Sequence, residues 1–230
     1  MKKRNVFLII AVTAVAAAFL IIGISAYNIK PIDDDVLAGI DTQKAKCLMI
    51  TAHPDDESLW GGAHLAADDY LVVCLTHASD KVRSSEFKNA MQTSDDQYII
   101  LDYPDKVYGR RDNWKRVRDK MTADIDKIIN LKQWDLVVTH NPEGEYGHQH
   151  HKMTSNMVTE VYNKTSRQYP LYYFGTYYRA SQKDKIDKLI PERQEQTEIK
   201  EKMLEHYTSQ SRVVEKFGHM LNYEQWNKEN

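Results

Sequence analysis

The chain has 230 residues and a mass of 26.8 kDa, enough for one sizeable α/β domain whose core needs no covalent staples, which excludes a miniprotein held by disulfides. With 42% hydrophobic and 28% charged residues, and only nine Gly and six Pro, it is neither low-complexity nor wholly disordered material. The formal net charge is -2 even though Lys2, Lys3 and Arg4 lead the chain, so no polyanion-binding surface is implied and nucleic acid is not an expected partner.

Residues 6–26, VFLIIAVTAVAAAFLIIGISA, form twenty-one positions without a charge. As a helix rising about 1.5 Å per residue, this run just crosses a hydrocarbon core. Basic residues precede it and Asp33-Asp34-Asp35 follow it, which places the N-terminus inside and the rest outside. The expected organisation is a cytoplasmic tip at 1–5, a transmembrane helix at 6–26, and an extracytoplasmic domain on a single-pass cell-membrane protein. A signal peptide cleaved after Ile24-Ser25-Ala26 is the competing reading and would leave a secreted protein, but the apolar run exceeds the usual length of such a segment. Residues 27–45 contain Pro31, several aspartates and little apolar periodicity, and read as a tether. The domain is expected over 46–230.

Apolar, β-prone runs at 47–52, 70–76, 97–101, 134–139 and 171–177 alternate with segments of helical period at 57–67, 84–96, 112–131 and 148–163. That rhythm predicts a Rossmann-like, mostly parallel sheet flanked by helices. Cys47 and Cys74 lie inside two of the strand-like runs and read as small buried hydrophobes without framework spacing. Arg110, Arg111, Lys115, Arg116 and Arg118 stand among aspartates and read as a solvated face. The end, 182–230, is charged and helix-prone, with Pro191 as a boundary and Ile199, Met203 and Leu204 available to dock one helix. Because the first strand lacks a glycine fingerprint, no nucleotide cofactor is expected.

In such a sheet, ligands collect at the carboxyl ends of the strands. The first strand runs directly into His53-Pro54-Asp55-Asp56-Glu57, one imidazole and three carboxylates in five residues. The fourth ends Thr139-His140 and leads through Glu143-Gly144-Glu145-Tyr146-Gly147 into His148-Gln149-His150-His151, so four of nine histidines lie within twelve positions. His53 and Asp56 offer a nitrogen and an oxygen three residues apart, and His148 and His151 share one helical face. Taken singly, each histidine reads as a solvated or satisfied side chain, and an aspartate here as a helix cap. Together they are a donor set for zinc, and two imidazoles with one carboxylate and a vacant position make a catalytic site.

Ala52 to Glu57 and the His-x-x-His at 148–151 resemble the signatures of the LmbE-like or PIG-L-like N-acetylglucosaminyl de-N-acetylases. Thr76 followed by Arg83-Ser84-Ser85-Glu86, and Leu101-Asp102-Tyr103-Pro104-Asp105, are similar to two weaker family segments, so the likeness covers about 46–180. It implies one zinc per chain held by His53, Asp56 and His151, with Asp55 as general base and His148 stabilising the transition state. An amide is a poor electrophile, so its hydrolysis needs a base and an oxyanion donor beside the metal, and a protonated His148 with Tyr146 suits the second task. Arg83 and Asp105 would grip sugar hydroxyls. The family often has an acid where His150 stands, so an orienting carboxylate is either missing or comes from elsewhere, and His150 is itself a competing ligand.

The leading expectation is a membrane-anchored zinc deacetylase acting on an N-acetylhexosamine of a surface glycan or glycolipid. A zinc amidase for another acyl or conjugate substrate would use the same residues. A sugar-binding module without catalysis would have no use for Asp55 beside the metal.

Overall fold

The computed structural model describes residues 12–15, 23–166 and 168–229. Strands β1 (Cys47–Thr51), β2 (Tyr70–Thr76) and β3 (Gln97–Tyr103) are followed by a short antiparallel hairpin of β4 (Lys106–Val107) and β5 (Arg110–Arg111). After these come β6 (Val137–Thr139), β7 (Leu171–Tyr173) and β8 (Asn227–Lys228). The main sheet runs β3-β2-β1-β6-β7-β8, parallel except for β8, which pairs antiparallel with β7. The expected mostly parallel α/β sheet is thus present.

Both faces of this sheet are covered, which is why β1 and β2 are buried at every position and read as unbroken apolar runs. Alternation divides them: Leu48 and Ile50 join one core layer, while Cys47 and Met49 join the other. The first layer packs against α4 (Arg118–Ile129) and α5 (Gln149–Tyr162), through Met121, Ile125, Ile128, Met157 and Val158. The second packs against α2 (Asp56–Leu65), α3 (Lys81–Ser94) and α6 (Gln194–Glu205). Cys47 and Cys74 are free thiols in this layer, and burial pushes the Cys47 thiol up to about 12.

The segments flanking the domain depart from expectation or fall outside the described residues. Among the described residues no helix is long and apolar enough to cross a membrane. The uncharged run at 6–26, expected to be a transmembrane helix, lies largely outside the described residues. Residues 27–45, expected to be a free tether, are seated on the domain. Ile32 is buried and donates its N–H to Asp124 Oδ1 at 3.0 Å, and Leu37, on α1 (Asp34–Ala38), joins the first core layer. The helix expected from 112 begins only at Arg118, because Asp112 accepts the Trp114 N–H at 2.6 Å and Trp114 takes a φ of 54° with its ring fully buried.

The C-terminal part docks one helix as expected, with Met203 and Leu204 buried, but its centre is polar. Lys200 is fully buried, 2.6 Å from Glu224 and 2.9 Å from the Leu59 carbonyl oxygen. Gly62 permits that approach, since a Cβ there would meet Lys200 Cγ at 2.7 Å. Glu224 also accepts the backbone N–H groups of Ala63 and His64. Burial opposes its charge, but Lys200 and His64 outweigh that and hold it down to about 2.

Candidate active site

Strands β1 and β6 are neighbours whose following helices depart differently, which opens a crevice at their carboxyl ends. His53, Asp55 and Asp56 from the end of β1 and His148 from the start of α5 line it, with His150 and His151 buried behind them. A cavity of about 360 Å³ is lined there by His53, Asp55, Asp56, Arg83, Asp105, Lys106, Arg111, Tyr146 and His148, closed on one side by Leu59, Gln210 and Val213. The structure therefore brings together seven of the eight expected site residues around one cavity, with the eighth, His151, directly behind it.

Asp56 is the hinge of the cluster. Its Oδ2 lies 3.2 Å from His53 Nδ1 and its Oδ1 3.1 Å from His151 Nε2. Burial pushes Asp56 up, but His151 and His140 outweigh it and hold the carboxyl well below its usual range. His53 is pushed down by burial and up by Asp105 and Asp56, with a net rise. Two imidazole nitrogens and a carboxylate packed this closely fit a divalent cation of borderline hardness, and the cavity leaves one side open.

The carboxylate expected to orient the second histidine ligand comes from Glu145. It accepts from His151 Nδ1, from His140 Nδ1 at 3.1 Å and from the Asn141 N–H at 2.9 Å. His140 Nε2 in turn accepts the Ala52 N–H at 3.0 Å, which ties β1 to β6 just behind the site. Glu145 is buried, which opposes its charge, yet His140 and His151 hold it down to about 2. Neither Glu145 nor His140 was assigned a role from sequence, although His140 terminates a strand where ligands collect. Among the described residues the groupings of three donors are His53, His148 and His151; Asp56, His140 and His151; and His53, Asp105 and His150, so the expected ligands fall across the first two and His148 stands within reach of the same ion.

Asp55 sits at φ 116°, outside the ordinary range of an L-residue. Its N–H is held by Glu57 Oε2 at 3.2 Å, and Glu57 is itself buried and bonded to Tyr207 and to Ser58 Oγ. Burial and the adjacent Asp56 hold Asp55 well above the usual carboxylate range, with Arg83 pulling the other way. Arg83, expected on sugar hydroxyls, lines the cavity and also holds the loop beside it. Its guanidinium donates to the Pro54 carbonyl and to His77 Nε2 at 2.9 Å, and stands 3.4 Å from Asp55 Oδ2. It straps the loop that carries Asp55.

His148 Nδ1 is buried and has no hydrogen-bond partner. Burial, with His151 and His53 nearby, pushes this ring down to about 2, which favours a neutral donor over the protonated one expected from sequence. Tyr146 packs edge-on to His151 with centroids 5.5 Å apart, and burial followed by Asp56 raises its phenol, which keeps the proton on. Asp105 Oδ1 is likewise buried without a hydrogen bond, 3.5 Å from His150 Nδ1 and 3.6 Å from His53 Nε2. The basic residues read as one solvated face are dispersed: Arg111 lines the cavity, Arg116 covers the Tyr27 ring at 4.8 Å, and Arg118 pairs with Glu160 at 2.7 Å.

An uncharacterized protein of Acanthamoeba polyphaga mimivirus is 32% identical over 143 residues, covering 55% of this chain and 62% of that protein. The 1D-myo-inositol 2-acetamido-2-deoxy-alpha-D-glucopyranoside deacetylase of Corynebacterium diphtheriae is 24% identical over 151 residues, covering 50% and 52%. The chain thus spans about half to three fifths of the length of these relatives. Among solved structures, a teicoplanin deacetylase triple mutant superposes with a TM-score of 0.63 at 16% identity, over 81% of this chain and 99% of that one. The A40926 pseudoaglycone deacetylase gives 0.58 at 18%, over 75% and 85%. The 4-carboxy-2-hydroxymuconate hydratase of a pseudomonad gives 0.50 at 15%, over 80% and 95%, so this fold also carries other chemistry and the reaction must be argued from the site. The model of the GlcNAc-PI de-N-acetylase family, PIG-L, matches residues 48–162, half of the chain and both motifs that build the crevice. The chain belongs to the PIG-L family.

Proposed function

We propose that the chain is a zinc-dependent deacetylase that hydrolyses the N-acetyl group of an N-acetylhexosamine in a glycan or glycolipid. The observation that carries this reading is Asp55, a buried carboxylate facing the cavity beside the His53, Asp56 and His151 cluster yet outside every donor grouping in it. Family membership and the acetamido-sugar deacetylase among its relatives support the substrate class.

A divalent ion in the cluster, when bound, would act as a Lewis acid and lower the pKa of water to about 7. Asp55 takes the proton of the attacking water as the new C–O bond forms, and its raised basicity suits that task. The neutral His148 ring donates an N–H to the carbonyl oxygen as negative charge builds on it, with the Tyr146 hydroxyl as a second donor. Asp55 then returns the proton to the departing nitrogen, which frees acetate and an amino sugar. Asp105 lines the cavity and is placed to accept a sugar hydroxyl, with Lys106 and Arg111 beside it. Acetate release from N-acetylated glycosides, with and without a chelator, tests the reading. Acetate that appears only with metal present supports it; turnover untouched by chelation, or a longer acid released in place of acetate, overturns it.

We further propose that the protein sits at the cell membrane, single-pass, with the domain outside. The uncharged run at 6–26 and its basic N-terminal flank support this. Ser25 and Ala26, at the end of that run, and Ile29, just after it, border a second cavity of about 400 Å³ together with Asp105 and Lys106, residues shared with the first. A substrate held at a membrane surface would lie near both. Protease shaving of intact cells is expected to remove the domain while a cytoplasmic marker survives; a protected domain reverses the orientation, and a domain found free in the medium favours cleavage after Ala26.

A further inference from the structure

His150 stands where the family often carries an acid, and its surroundings decide which of its nitrogens bears hydrogen. The ring is fully buried and stacked on Trp114, with centroids 4.0 Å apart and planes 11° from parallel. Its Nε2 lies 2.8 Å from the Asp112 carbonyl oxygen. A carbonyl only accepts, so Nε2 carries the hydrogen, and in the neutral ring Nδ1 holds the lone pair. That lone pair faces His53 Nε2 at 3.0 Å. Two facing lone pairs at this distance repel, so His53 Nε2 bears a hydrogen and donates it to His150. The Asp105 oxygen nearest His53 Nε2 is 3.6 Å away, beyond hydrogen-bond range, and cannot replace that acceptor.

The consequence falls on the opposite side of the His53 ring. In the metal-free structure Nδ1 lies 3.2 Å from Asp56 Oδ2 and shares a hydrogen with it; with Nε2 occupied, Nδ1 is the nitrogen left to exchange that hydrogen for a metal, in the cluster with His151. We propose that His150 is a positioning residue: by accepting the Nε2 hydrogen it selects Nδ1 as the atom with which His53 binds metal, and it locks that ring against Trp114 and the 112 carbonyl. A neutral imidazole here does what a carboxylate commonly does behind a metal-bound histidine. The rival arrangement puts the ion among His53 Nε2, His150 Nδ1 and Asp105 Oδ1, which are 3.0 to 3.6 Å apart, and makes His150 a ligand. The inference rests on the metal-dependent reading above.

The test uses the full-length protein loaded with zinc or cobalt. In wild type, long-range proton–nitrogen NMR of the zinc form should show His53 protonated at Nε2 with Nδ1 bearing the metal shift; the reverse pattern overturns the proposal without any variant. His150→Phe keeps a ring on Trp114 but removes the acceptor, and zinc affinity measured against a competing chelator should fall about 10- to 100-fold. His150→Asn, whose side-chain oxygen falls near the place of Nδ1, should recover most of that loss and keep the wild-type cobalt absorption bands. Wild-type affinity in His150→Phe overturns a positioning role, and altered cobalt bands in His150→Asn make His150 a ligand. A wild-type chain that takes up no divalent ion overturns the metal reading itself, a result distinct from either of these.

Discussion

Asp55→Asn should retain its metal and lose kcat by about 10² to 10⁴, the usual cost of removing a general base. Asp55 is outside the donor groupings, so the substitution leaves the cluster of His53, Asp56 and His151 intact. Asn also tolerates a positive φ, so the φ of 116° at this position does not penalise the variant, and its N–H can still reach Glu57. The effect on stability should run the other way. Because the folded protein holds Asp55 well above its ordinary value, the ionised carboxylate opposes folding. That penalty is absent below the ordinary carboxylate pKa and grows as pH rises above it. At neutral pH, Asp55→Asn should therefore melt no lower than wild type, and it should lose this advantage in acid. Kinetics, metal analysis and melting at two pH values read all three effects together. Metal loss in the variant, or near-normal turnover, removes Asp55 from the role of base.

His151→Ala should show the opposite pattern, with metal content collapsing and activity following it. The ring supplies one of the cluster's two imidazoles, is almost fully buried, and stacks on His140 with centroids 3.9 Å apart. Removing it also takes a donor from Glu145, whose carboxylate is buried. Losing a hydrogen bond to a buried carboxylate commonly costs about 1.5–3 kcal/mol. Glu145 keeps His140 and the Asn141 N–H, which places the expected loss at the low end of that range. Urea denaturation of the metal-free proteins isolates this term from the loss of metal. If His151→Ala keeps full metal stoichiometry while His150→Ala loses it, the third ligand is His150.

The sequence by itself determined the elements whose burial is complete on both sides. β1 and β2 are continuous apolar runs because helices cover both sheet faces, so their limits are visible as hydrophobicity, and β2 occupies the expected 70–76 without change. It also determined the chemistry at the crevice, since Asp55, Asp56 and the histidines of 148–151 are too densely charged for a core and fall at strand ends. Polar contacts at a distance left no such trace. Lys200 and Glu224 read as solvated residues of a charged terminus, yet they neutralise one another inside the protein. Residues 27–45 carry only a few apolar anchors, so their seating through Ile32, Leu37 and Asp124 is not a pattern in the chain. β8 joins the sheet through backbone groups that every sequence possesses.

Only the tertiary structure decided what the site residues do to each other. Arg83 became a strap because the Pro54 carbonyl and His77 lie within its reach, and Glu145 became the orienting carboxylate because the turn before α5 folds it behind His151. A motif names donors and acceptors, whereas proton placement depends on angles and distances of a few tenths of an ångström between groups up to 97 residues apart, as for His53 and His150. Those distances are set by how β1 and α5 pack, and packing is a property of the whole core.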